Sequence, residues 1–166
     1  MDWGSALADL RIHLKVERSL STRTVESYLS DLAKLRRYAE ELAPPLRPTD
    51  MRLKDLQAFI TTVAKQGAAA SSQARLLSAV RALYRHLQRE KVVHEDPTEL
   101  LESPRIGRKL PVFLTVQEID AMAKAIDRSR PMAHRDAAIL EVLYSCGLRV
   151  SELCGLQRSR LHFSEG

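Results

Sequence analysis

Two cysteines, no long apolar run and no strand-like alternation set the first limits on this chain of 166 residues. Cys146 and Cys154 stand eight apart and have no metal-ligand spacing with any of the five histidines, so a zinc site is excluded and the thiols are expected to be reduced, in a cytoplasmic protein. His13, His86, His94, His134 and His162 are expected as surface or partly packed side chains. No stretch approaches the roughly 20 apolar residues that a bilayer requires. The start, Met1-Asp2-Trp3-Gly4, has neither the cationic nor the apolar region of an export signal. There is no glycine-rich phosphate loop. Membrane, metal and nucleotide cofactor are therefore all absent from the expected partners.

What is present is the composition of a folded protein, 45% apolar and 28% charged, enough for one ordinary domain or two small helical units. The charge is uneven. Residues 1 to 110 hold 19 Lys plus Arg against 14 Asp plus Glu, and the remainder holds 7 of each, so the whole net charge of +5 lies in the first part. A basic unit beside a neutral one points to a polyanionic partner, because Lys and Arg release counterions when they neutralise phosphates.

Nearly the whole chain reads with helical period. Trp3, Leu7, Leu10 and Leu14 mark a first helix. Ser21 and Thr22 offer N-caps for a second that carries Val25, Tyr28, Leu29, Leu32, Leu35 and Leu42 on one side and ends at Pro44, Pro45 and Pro48. Thr49 and Asp50 are expected to open a third, with Leu53, Leu56, Ile60 and Val63, that stops near Gly67. A fourth begins in the Ala-Ala-Ala-Ser-Ser run and turns Leu76, Leu77, Val80, Leu83, Tyr84 and Leu87 inward. These make one four-helix bundle, residues 1–94. Pro97, Pro104, Gly107 and Pro111 punctuate a basic linker, 95–111. From 112 to 166 a second domain begins: Thr115-Val116-Gln117-Glu118 fits a capping box, a helix runs from about Ala133 to Cys146 with Gly147 as its left-handed cap, and Val150 to Leu156 forms a short helix. The fold class is all-α.

Two polar stripes stand out. On the second helix Arg23, Ser27, Ser30, Lys34 and Arg37 fall within roughly an 80° arc opposite the apolar side, and on the fourth Ser71, Arg75, Ser78, Arg85 and Arg89 do the same around Ala82. Carboxylates are nearly absent from both arcs. Small residues and hydroxyls allow close approach to a phosphate backbone, while Arg and Lys reach phosphates or guanine edges, so these stripes and the linker's Arg105, Arg108 and Lys109 are candidate contacts to duplex DNA.

The residues also carry a signature. Ser71-Ser72-Gln73-Ala74-Arg75-Leu76-Leu77-Ser78-Ala79-Val80-Arg81, Arg89-Glu90-Lys91, Glu95-Asp96-Pro97, Ser103-Pro104-Arg105 and Lys109-Leu110-Pro111, then Arg135-Asp136-Ala137, Leu143-Tyr144 and Cys146-Gly147-Leu148-Arg149-Val150-Ser151-Glu152-Leu153, resemble the N-terminal half of the Xer-type tyrosine site-specific recombinases. Ser145-Cys146 departs from the Ala-Thr often found there. The resemblance implies a SAM-like four-helix core-binding domain whose second and fourth helices face the major groove, a linker across the DNA, and the first helices of a catalytic domain. It implies DNA recombination and integration, chromosome dimer resolution above all, with a second Xer recombinase and a DNA translocase activator as partners.

By the same resemblance Arg149 is the first of two arginines that stabilise the phosphorane when a tyrosine attacks a phosphodiester, and Glu152 supports it. No lysine, no His-x-x-Arg box and no tyrosine follow Arg149. The four tyrosines lie upstream, and Tyr28, Tyr84 and Tyr144 are core candidates. The chain is thus expected to be an N-terminal piece of a recombinase that binds DNA without cleaving it, and to be monomeric. The competing readings are a non-catalytic DNA-binding regulator built on the same bundle and a helical protein-interaction module.

Overall fold

The computed structural model describes residues 1–104, 107 and 110–161. Arg105, Arg108, Lys109 and His162 lie outside the described residues. Within these limits the chain is all-helical and forms two compact units, Met1–Arg108 and Lys109–Gly166.

In the first unit α1 (Trp3–Ile12) runs into a π-helical turn, His13–Glu17. Asp2 caps α1 by accepting the Ser5 amide at 2.9 Å. The π turn was not legible in the apolar spacing. It adds a residue to the turn and brings His13 and Leu14 side by side into the interior. α2 (Thr22–Glu41) starts at Ser21, whose hydroxyl accepts from the Thr24 amide at 3.2 Å, and it stops before the prolines. α3 (Leu53–Lys65) begins later than Thr49 and Asp50 suggested. Its start is fixed by Asp55, which accepts the Arg52 amide at 2.9 Å, while Thr49 turns its hydroxyl to Asp50. Gly67 follows α3 at φ +80°, a value that a side chain would strain. α4 (Ala70–Arg89) ends with Lys91 at φ 56°, and the Val92 amide returns to the Leu87 carbonyl at 2.8 Å.

The four helices bury one core, which includes Leu10, Leu32, Leu35, Leu56, Leu76, Leu83 and Tyr84. Two long bonds pin the proline-rich loop between α2 and α3 to it: the Trp3 indole N–H donates to the Leu46 carbonyl at 2.9 Å, and the buried Tyr84 hydroxyl to the Pro48 carbonyl at 2.9 Å. Beyond α4, Thr98 and Leu101 are buried, and the Arg81 guanidinium reaches the Leu101 carbonyl and the Ser103 hydroxyl. The segment after Asp96 is thus laced to α4 where its sequence reads as linker.

In the second unit α5 (Val116–Lys124), α6 (Ala133–Cys146) and α7 (Val150–Cys154) are set by local signals. The Thr115 hydroxyl accepts the Glu118 amide at 3.3 Å and the Glu118 carboxylate accepts the Thr115 amide at 2.8 Å. Gly147 adopts φ 61° and caps α6. Tyr144, expected in the core, is 53% exposed, because Ala133 alone among the described residues of this unit is buried and there is no interior for the ring to enter.

Candidate nucleic-acid interface

The stripe residues are exposed apart from Ser27, which is half-buried, and they fall into three groups. The first surrounds a cleft of about 510 Å³ lined by the π turn and the loop after it, α2 and α4. Ser78, Arg85 and Arg89 of the fourth-helix stripe line it, together with Arg18, Arg81, Thr24 and Tyr28, and no carboxylate does. Arg18, Arg81, Thr24 and Tyr28 were missed by the helical arcs. Arg18 lies on no helix, and Arg81, Thr24 and Tyr28 sit on the flanks of theirs, where periodicity alone does not separate a cleft wall from a core edge. Arg18 and Arg85 form no ion pair among the described residues.

Arg89 is differently placed. Its Nη2 meets His13 Nδ1 at 2.9 Å, His86 Nδ1 at 3.2 Å, Glu17 Oε2 at 3.2 Å and Glu90 Oε1 at 3.3 Å. The His13 and His86 rings stack with centroids 4.9 Å apart. Burial, His13 and the Arg89 charge together hold the His86 imidazole below its ordinary range, and the hydrogen bond from His13 lowers the Glu17 carboxyl. His86 and Arg89 do have His-x-x-Arg spacing, but on α4, upstream of Arg149. Both histidines are buried, more deeply than a surface or partly packed reading suggests.

The second group joins the two stripes. Asp31, on α2 and fully buried, accepts from Lys34 Nζ at 2.8 Å, from Arg75 Nε at 2.8 Å and from Arg75 Nη2 at 3.3 Å, while the outer parts of Lys34 and Arg75 stay about half exposed. Burial pushes the Asp31 carboxyl up, but the hydrogen bonds from Arg75 and Lys34 and their charges outweigh it, so it lies below the usual carboxylate range. The same bonds raise the Arg75 guanidinium. Lys34 and Arg37 also line a separate groove between α2 and α3.

The third group is the rest of the stripes. Arg23 and Arg37 have no ion pair among the described residues. The Ser27 hydroxyl donates to the Arg23 carbonyl at 2.8 Å and that of Ser78 to the Ala74 carbonyl at 2.9 Å, so their protons are committed inside the helix. Those serines contribute closeness of approach rather than donors. Ser30 and Ser71 are exposed.

In the second unit the Arg149 amide donates to Glu152 Oε2 at 2.7 Å and its Nη1 to Oε1 at 3.1 Å, with the guanidinium 83% exposed. The expected pairing is formed, on a turn that leaves the arginine open. Among the described residues there is no group of three His, Cys, Asp or Glu side chains that could hold a metal, and no helix long and apolar enough to cross a membrane.

The described residues thus combine a helical bundle that bears an arginine-lined cleft with short helices that carry an open Arg-x-x-Glu turn. Residues 7–91 match the phage integrase N-terminal SAM-like domain and residues 112–166 the phage integrase family. The chain belongs to that family, the tyrosine recombinases. It is 38% identical over 151 residues to tyrosine recombinase XerD of Proteus mirabilis, covering 91% of this chain and 48% of the relative. It is 39% identical over 158 residues to tyrosine recombinase XerC of Pseudomonas savastanoi pv. phaseolicola, with coverage of 93% and 52%. The chain thus spans about half the length of the curated relatives it matches. A lambda integrase dimer bound to a COC′ core site shares the fold at 20% identity with a TM-score of 0.72, over 98% of this chain and 43% of that one.

Proposed function

We propose that this chain is the DNA-binding half of an Xer-like site-specific recombinase, with a core-binding domain over residues 1–94, a basic linker over 95–111 and the start of a catalytic domain from 112. The observation that carries this reading is the cleft between the π turn, α2 and α4, where Arg18, Arg81 and Arg85 meet Thr24, Tyr28 and Ser78 without a lining carboxylate. Cations gathered in a concave, acid-free surface attract a phosphate backbone more strongly than the same charges scattered over a convex one. Arg23, Lys34, Arg37 and Arg75 extend the basic surface along α2 and α4, and Arg105, Arg108 and Lys109 give the linker sequence three more cations. Arg149, held by Glu152, is the arginine offered to the scissile phosphate. The 166 residues bind DNA and do not cleave it. In the whole protein the activity is strand exchange, in chromosome dimer resolution, with a second recombinase and a DNA translocase activator as partners.

The test is titration of fluorescent duplex DNA with the 166-residue chain over a range of salt. Binding should weaken linearly in log–log form, and Arg85→Ala should make the slope shallower by about 0.9 if one phosphate contact is lost. Affinity that does not depend on salt, or a slope unmoved in Arg85→Ala with Arg81→Ala, would sink the reading.

A further inference from the structure

We propose that Asp31 is a positioning residue for DNA binding, one that sets the spacing of Lys34 on α2 and Arg75 on α4 so that both address the same stretch of phosphate backbone. The inference rests on the DNA-binding reading above and adds to it an acidic residue that a polyanion interface would be expected to avoid.

Lys34 Nζ and Arg75 Nη2 both donate to Asp31 Oδ1, so an ammonium and a guanidinium from two helices lie within two hydrogen-bond lengths of each other. Like charges that close repel, and the shared carboxylate is what holds them there. Arg75 is fixed further by its Nε–H on Oδ2 at 2.8 Å, which locks the guanidinium plane and leaves Nη1 unengaged by Asp31. The carboxylate itself is out of reach of solvent, whereas both cations are about half exposed. The triad therefore shows an incoming phosphate two cations and hides the anion.

Stability is a poor reason for such an arrangement. Burying a carboxylate costs several kcal/mol, and replacing a whole buried ion-pair cluster by well-packed apolar residues is often neutral or stabilising. Asp31 is fully buried and adjoins Leu32 at the border of the apolar face, so a leucine there would extend that face. What an apolar residue cannot do is hold a lysine and an arginine together, with the side-chain freedom already lost before DNA arrives.

The experiment compares Asp31→Asn with the wild-type 166-residue chain in DNA titrations over a range of salt, well below the thermal transition of each. Asp31→Asn raises the net charge by one, so if Asp31 acts only as a charge, DNA should bind more tightly. Positioning gives the opposite sign: affinity falls about tenfold and the salt slope becomes shallower by about 0.9. In an Arg75→Ala/Lys34→Ala background the same change should have no further effect. Arg75→Lys, made at a half-exposed site and retaining the charge, supplies the measurement should Asp31→Asn fail to fold; it should lose affinity to a similar degree. Asp31→Asn binding as tightly as wild type or tighter, or Arg75→Lys binding unchanged, overturns the inference and leaves the DNA-binding reading intact. A wild-type chain without salt-dependent affinity overturns both.

Discussion

In the first unit every α-helix buries an apolar side, from Trp3 and Leu10 on α1 to Leu83 and Leu87 on α4, whereas among the described residues of the second only Ala133 is buried and Val112, Phe113, Met122, Met132, Tyr144 and Val150 are open. Helix content does not separate the two. The second unit owes its helices to a capping box, a left-handed glycine and a carboxylate-capped turn, each a contact within a few residues. Such signals say where a helix begins and ends, but short helices are marginal in water until an amphipathic face is covered. Local cues and tertiary burial are separable, and this chain shows them side by side.

The largest test of that contrast is to cut it in two. A chain of residues 1–110 should keep a cooperative thermal transition followed by circular dichroism, because its core and the loop bonds of Trp3 and Tyr84 are all internal to it. Residues 111–166 alone should show no transition. A cooperative melt from the second piece would break the comparison.

Substitutions should scale the same way. Leu83→Ala on α4 removes a fully buried side chain and should cost about 2 to 5 kcal/mol in urea unfolding. Ile139→Ala on α6, at a position 37% exposed, should stay within about 0.5 kcal/mol. Equal costs would mean that the second unit has an interior.

The arginines offer a functional version. Arg85→Ala should weaken DNA binding, while Arg149→Ala, which removes a guanidinium held by Glu152, should change it much less. No covalent adduct with a nicked duplex should be trapped by the 166 residues. Tyr84, the most buried of the tyrosines, donates its hydroxyl to Pro48, and burial and the nearby Asp96, Asp55 and Asp50 carboxylates raise its pKa, which works against a phenolate nucleophile. An adduct mapped to Tyr28, Tyr38, Tyr84 or Tyr144 would overturn this.

Acid should affect the first unit through His86. Its folded pKa lies below the ordinary imidazole value of about 6.5, so between the two values the unfolded chain binds more protons and stability falls as pH drops below about 6.5. Asp31 acts later: its lowered pKa contributes stability above the ordinary carboxylate range, lost as pH falls through the folded value. His86→Phe should flatten the first part of the profile and leave the second. A modest effect is expected at Lys91, at φ 56°, where Lys91→Gly should raise stability by up to about 1 kcal/mol in the same unfolding measurement.

Much of this architecture is legible in the amino-acid order, for identifiable reasons. The Ser21 cap, the Thr115–Glu118 box and α6 with Gly147 depend on neighbours in sequence, and the fourth helix on a long uninterrupted apolar period. The misses depend on contacts between elements. Asp31 sits at the border of the α2 polar arc, where a helical wheel counts an acid as solvated, and only α4 packed alongside makes it a buried partner of Arg75. The π turn at His13 changes the register that a fixed 100° step assumes, which hides the stacked histidines and the sequestration of Arg89. At α3 the sequence suggests Thr49 and Asp50 as the start, whereas the Asp55 carboxylate accepts the Arg52 amide and begins the helix at Leu53. Tyr144 reads as core from its apolar neighbours but has nothing to enter.

Trp3, the sole tryptophan, is 4% exposed and gives its indole N–H to Leu46. The chain therefore carries one indole, seated in the helical bundle and selectively excited at wavelengths that its four tyrosines do not absorb. Its emission should be blue-shifted and should follow unfolding of the first unit alone, blind to the helices beyond Pro111. A difference between the fluorescence and far-ultraviolet dichroism curves of the unlabelled protein then reads out the second unit by subtraction.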